Sequence, residues 1–134
     1  MWNRAFPGAV DEVRHVRSAV RALLDGCPAA DDVVHVLSEL SANAVAHSQS
    51  GTPGGKFIVR LQHSPGDCVW GEVEDEGSSW DGDLTASARD RSGLFIVLKL
   101  TSACAVADGP AHHRLVRFRI QCRPERAGKR PDDR

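Results

Sequence analysis

The hydrophobic pattern of this chain changes period at Lys56, and the change decides which architectures are open to it. Up to Ser50 the apolar residues recur every three or four positions; from Lys56 they alternate or cluster in short β-rich runs. Between them lies Ser50-Gly51-Thr52-Pro53-Gly54-Gly55, whose proline and glycines suit neither a helix interior nor a strand. A helical layer followed by a sheet is therefore expected.

Two helices are predicted ahead of the break. In "AVDEVRHVRSAVRALLDG", Val13, Val16, Val20, Leu23 and Leu24 fall at helical spacing, arginines occupy much of the other face, and Gly26 with Pro28 stops the run. The second helix begins near Asp31 and Asp32, acidic residues suited to the positive end of a helix dipole, and runs through "VVHVLSELSANAVAHS". After the break, "KFIVRLQH" and "CVWGEVED" flank Ser64-Pro65-Gly66-Asp67, the signature of two strands joined by a turn. "EGSSWDGDLTASARDRS" has little periodicity and is long for a plain connection, which marks a candidate functional loop. "GLFIVLKLTSA" is read as a helix, because Ser92 offers an N-cap and the next strand signal starts near Ala103. "CAVAD" and "HRLVRFRIQC" read as two more strands, and "WNRAF" as a short edge strand at the front.

This order predicts an α+β fold, a two-layer sandwich with helices on one face of a mixed, mostly antiparallel sheet. At 134 residues there is room for one core, assigned to residues 1–122, while the charged, Pro- and Gly-containing stretch 123–134 is expected to be a disordered tail. A formal net charge of −1 supplies no overall basic field, so neither direct nucleic-acid binding nor a membrane surface is expected. The N-terminus lacks a secretory signal, and no segment approaches the roughly 18 to 20 apolar residues of a bilayer span, which leads to an expected cytoplasmic location. The four cysteines contain no C-x-x-C pair and are read as buried reduced thiols.

The chemistry-bearing residues begin with "SELSANAVAH". At about 100° per residue, Val33, Leu37, Leu40 and Ala44 form one stripe, while Glu39 and Asn43 lie side by side on its flank with His47 one turn further on. A partly shielded carboxylate is suited to general-base work, and a neutral amide oxygen suits a hard cation such as Mg²⁺. The same residues also fit a helix border satisfied by ordinary hydrogen bonds. A ladder of His35, Glu39, Asn43 and His47 is a poor transition-metal site, since its two histidines stand about 18 Å apart along the axis. Downstream, Asp75 ends a strand with Gly77 two residues on, and Gly93 opens a helix whose free N–H groups favour phosphate. Each of these signals is common when taken alone.

Together, E-x-x-x-N-x-x-x-H on a helix, a strand-ending D-x-G, a polar loop and then S-G-L-x-I-V resemble the GHKL (histidine-kinase-like) superfamily of ATP-binding domains. Within it, "FPG" before an Arg-rich helix and then "LSELSANAVAHS" are similar to the small anti-sigma-factor serine kinases and their actinobacterial relatives. The resemblance covers residues 5 to 121 and implies a Bergerat-type ATP-binding fold with ATP and Mg²⁺ as cofactors. By position, Glu39 matches the general base, and Asn43 the residue whose side-chain oxygen binds Mg²⁺. Asp75 matches the acceptor of the adenine amino group, with Gly77 beside it. Gly93 and Leu94 match the end of the ATP lid and the helix start that contact phosphates, and His47 closes the helix motif. The loop from Ser78 to Ser92 would be the lid. The chain departs from the pattern at Ser79 and at Arg91, where glycines are usual, and it lacks the Gly-Lys-Thr run that relatives often carry before the last strand; the Arg91 guanidinium suits a phosphate contact instead.

The implied activity is a serine/threonine-protein kinase that phosphorylates a small antagonist (anti-anti-sigma) protein and holds a sigma factor on a separate surface. The alternative is a non-catalytic interaction module of the same fold. Members of the resembled group often pair as homodimers, although no feature of this sequence fixes an interface.

Overall fold

The computed structural model describes residues 1–78, 83 and 93–122. The chain starts on strand β1 (Trp2–Pro7), continues through helices α1 (Glu12–Leu23) and α2 (Ala30–His47), and forms the hairpin of β2 (Lys56–Ser64) and β3 (Cys68–Asp75). Helix α3 (Leu94–Leu100) then leads to β4 (Ala103–Asp108) and β5 (Arg114–Gln121). The strands form one sheet in the order β1-β2-β3-β5-β4, and every ladder is antiparallel. Three helices against this sheet make the expected α+β two-layer sandwich. The stretch Leu94–Leu100 is a helix, as expected, but its N-cap is Gly93 and makes no side-chain capping bond; Ser92, the expected cap, lies outside the described residues.

Alternation along the strands builds the core. Phe57, Val59 and Leu61 of β2, Val69 and Val73 of β3, and Val116, Phe118 and Ile120 of β5 are buried, and they meet Val16, Val20, Val33, Leu37, Leu40 and Ala44 of the helices. Phe6 of β1 stacks on Phe57 with ring centroids 5.5 Å apart. Leu23 is a correction to the helix reading: it is 43% exposed, because the apolar arc of α1 closes on Val20 and Leu24 and leaves position 23 beside it.

The opposite face of the sheet carries charge. Arg60 lies across from Glu72, which in turn lies across from Arg117, so three central strands bring these groups into line. Arg60 donates to Glu72 at 2.6 Å and to Glu74 at 2.8 Å, Arg117 donates to Glu72 at 2.9 Å, and His113 Nδ1 lies 2.6 Å from Glu74. Both glutamates are buried. Burial would raise the Glu74 carboxyl, but the contacts with His113 and Arg60 outweigh it and hold that carboxyl below its usual range. Among the described residues no helix is long and apolar enough to cross a membrane.

Candidate functional site

Helix α2 is the wall on which the site is built. Its buried arc is broad, including Val33, Val34, Val36, Leu37, Leu40, Ser41 and Ala44, so Glu39 and Asn43 are left half-buried at its edge. The Glu39 side chain is 34% exposed, which keeps its carboxylate at the rim and out of the core. His35, one turn earlier, places Nε2 3.9 Å from that carboxylate. His47 is exposed at the last turn, about 12 Å along the axis from Glu39.

Gly93 comes to this wall from a distant part of the chain. It precedes α3, and its carbonyl accepts from the N–H groups of Ile96 and Val97. Its Cα faces Glu39 so closely that a methyl group there would overlap the carboxylate, with Cδ only 2.7 Å away. Glycine is needed here because the Glu39 side chain occupies the space any Cβ would take. Leu94, the first residue of α3, is buried, so it anchors the helix through its side chain.

The turn after β3 closes onto the other end of α2. Gly77 donates its N–H to Asp75 Oδ1 at 2.7 Å, and its carbonyl accepts from Gln49 N–H at 2.9 Å. Ser50 Oγ accepts from Glu76 N–H at 3.0 Å, which fastens the same turn a second time. Gly77 has φ +96°, and a Cβ would stand 2.6 Å from the His112 carbonyl oxygen, so both the backbone and the space exclude a side chain. Burial pushes the Asp75 carboxyl above its usual range, against the pull of the Gly77 N–H and of the charges on Arg114 and His113. Asp75 is thus a poorly hydrated acceptor at a sheet end.

The structure therefore brings Glu39 against Gly93 and ties the Asp75–Gly77 turn to the segment that follows His47. Asn43 lies between these two places on α2. Arg91, Ser79, Ser92 and the rest of the Ser78–Ser92 loop, apart from Ser78 and Asp83, lie outside the described residues, as does the stretch 123–134. Sequence reasoning missed Gln49, Ser50 and His112, which shape the turn through one N–H, one hydroxyl and one carbonyl. Such contacts leave no periodic trace in a sequence, and only the Ser-Gly composition of 48–51 hinted at a specific turn.

Residues 5–122 match the histidine kinase-like ATPase domain family. A chain in the crystal structure of the SiaB-SiaC complex from Pseudomonas aeruginosa has a similar fold, with a TM-score of 0.63 at 16% identity over 90% of this chain and 89% of that one. No curated protein matches the chain significantly. Since the family match spans both walls of the site and nearly the whole sandwich, the chain belongs to the histidine kinase-like ATPase domain family.

Proposed function

We propose that this chain is a regulatory protein kinase: it binds ATP with Mg²⁺ between α2, the Asp75–Gly77 turn and the head of α3, and phosphorylates a serine of a small antagonist protein. The observation that carries the reading is the Glu39 carboxylate seated against Gly93, an acid from one segment meeting the start of a helix from another. The donor set fits the nucleotide and its cation, because Glu39 and Asn43 offer oxygen atoms at the helix rim and none of the sulfur that would favour a soft metal. Asn43 Oδ1 would hold the Mg²⁺. Bound Mg·ATP supplies the phosphoryl group and the cation that offsets charge developing on its oxygens.

The chain's own groups do the rest. Glu39 takes the proton of the attacking serine hydroxyl on a carboxylate oxygen, and the rigidity of α2 keeps that oxygen in place. Asp75 accepts a hydrogen bond from the adenine amino group, which relieves the burial that raises its carboxyl and rejects bases lacking that donor. Gly77 lets the chain turn away beneath the ligand. By resemblance, Gly93 and Leu94 contact the phosphates and His47 borders the nucleotide; the Arg91 guanidinium, standing where the family usually has glycine, suits a further phosphate contact. A protein of this fold has been solved within a two-protein complex, which supports a small protein partner for this chain as well. In this reading the partner is an anti-anti-sigma antagonist, a sigma factor binds a separate surface, and the protein acts in the cytoplasm, alone or as a homodimer.

Calorimetric titration with ATP and Mg²⁺ tests the binding half. One site per chain is expected, weakened at least about tenfold by Asp75→Asn through loss of the charged acceptor. Glu39→Ala should keep nucleotide binding and lose phosphate transfer; transfer at the parent rate would remove Glu39 as the base. The second reading is a non-catalytic interaction module, favoured by Ser79 and Arg91 where motif glycines are usual. Absence of heat at high micromolar nucleotide would select it.

A further inference from the structure

At the end of the sheet away from Asp75, residues from three distant segments meet. Cys27 lies in the connection between α1 and α2, His63 stands next to the last residue of β2, and Cys122 follows β5. The sulfurs of Cys27 and Cys122 are 4.0 Å apart, and the ligand atoms of Cys27, His63 and Cys122 all lie within 4.8 Å of one another. Both cysteines are free thiols. Cys68 opens β3 at this end and Asp75 closes it at the other, seven residues of strand and about 23 Å away.

We propose that Cys27, His63 and Cys122 bind one zinc ion, held by two thiolates and an imidazole. Zinc takes sulfur at about 2.3 Å and nitrogen at about 2.0–2.1 Å, so two sulfurs on one tetrahedral ion stand about 3.8 Å apart. The observed 4.0 Å corresponds to an S–Zn–S angle of about 120°, and the imidazole closes in by a side-chain adjustment of about 1 Å. Two thiolates with an imidazole select a soft or borderline ion and disfavour Mg²⁺ and Ca²⁺. Binding releases two thiol protons to solvent, so affinity rises with pH. The fourth position is open to water.

The backbone already places these ligands. Cys122 N–H donates to the Asp67 carbonyl at 2.9 Å and its Sγ lies 3.7 Å from the Ser64 carbonyl, so the β2–β3 turn holds this cysteine. Cys27 N–H donates to Leu24 and its carbonyl accepts from Ala30 N–H, fixing the other thiol between the two helices. His63 also borders a cleft of about 310 Å³ with Trp2, Leu23 and Leu24, which offers an entry path from solvent. The ion would clamp the α1–α2 connection to the end of the last strand, across 95 residues of chain.

Titration of the full, reduced, metal-stripped chain with Co²⁺ tests the site. One equivalent should give thiolate-to-cobalt charge transfer and the intense visible bands of tetrahedral cobalt, and one equivalent of Zn²⁺ should remove both. Cys27→Ser and His63→Gln, at partly exposed positions whose folding circular dichroism verifies, should each lower zinc affinity at least about tenfold. Cys104→Ser, on β4, and Glu39→Ala, in the nucleotide site, should leave it unchanged, which separates this proposal from the kinase reading. Absence of charge transfer, or its survival in Cys27→Ser, overturns the site. So does a Cys27–Cys122 disulfide that resists reduction and excludes cobalt.

Discussion

Replacing Gly93 by alanine separates the fold of this protein from its proposed chemistry. The added methyl would stand 2.7 Å from Glu39 Cδ and 3.3 Å from its Cβ, whereas carbon atoms in contact prefer about 3.5–4.0 Å. The methyl also overlaps Glu39 Oε1 outright, so the carboxylate must swing away by about 1.5 Å or more. Glu39 is flexible and one-third exposed, so the retreat costs about 0.5–1.5 kcal/mol as an off-rotamer side chain. Alanine suits the backbone at position 93, with φ −59° and ψ −12°, and removing glycine restricts the unfolded chain by about 0.4–1 kcal/mol in favour of folding. These terms nearly cancel, so stability in urea should stay within about 1 kcal/mol of the parent. Catalysis should not be spared: a base misplaced by even about 1 Å costs on the order of 100-fold. Single-turnover transfer of label from γ-labelled ATP to the partner's serine reads the loss, and the same substitution in a Glu39→Ala background tests its route. An equal further loss in that background, or a collapse of stability with activity intact, would refute the claim that Gly93 acts by giving Glu39 its place.

Arg60→Met removes two charge-assisted hydrogen bonds from buried glutamates that each keep one other partner, and chemical denaturation should show a loss of about 2–3 kcal/mol. Arg60→Lys should recover little, because Arg60 reaches Glu72 and Glu74 through two separate nitrogens of a planar guanidinium and lysine has only one. Since Glu74 titrates lower when folded, its contribution is complete above the ordinary glutamate pKa of about 4.3 and disappears as pH falls through the lower folded value. Glu74→Gln should flatten the acid limb of a stability-against-pH profile, and an unchanged acid limb would show that the His113 and Arg60 contacts do not hold this charge. Ser41 Oγ is buried with no hydrogen-bond partner among the described residues, so Ser41→Ala should raise stability by about 1 kcal/mol; a loss in thermal unfolding would mean that the hydroxyl is satisfied.

Sequence periodicity determined the elements. The 3.6-residue spacing of Val13, Val16 and Val20, the Gly-Pro break before Lys56, and the alternation of Val116, Phe118 and Ile120 each follow from a side chain's need to reach the core from a regular backbone, so they can be read locally. The position of Glu39 and Asn43 beside the buried stripe of α2 was legible for the same reason. What periodicity could not supply was contact between segments: that Gly93 would lie under Glu39, that Ser50 and Gln49 would fasten the Asp75–Gly77 turn, or that Cys27, His63 and Cys122 would face one another. Nor did it foresee Glu72 and Glu74 buried on the outer sheet face, where β-ladder register brings Arg60 and Arg117 alongside. The sequence by itself set which face of each element is apolar, because that is a property of a few consecutive residues. Only the tertiary structure decided which polar groups meet, because those distances depend on how all the helices and strands pack at once.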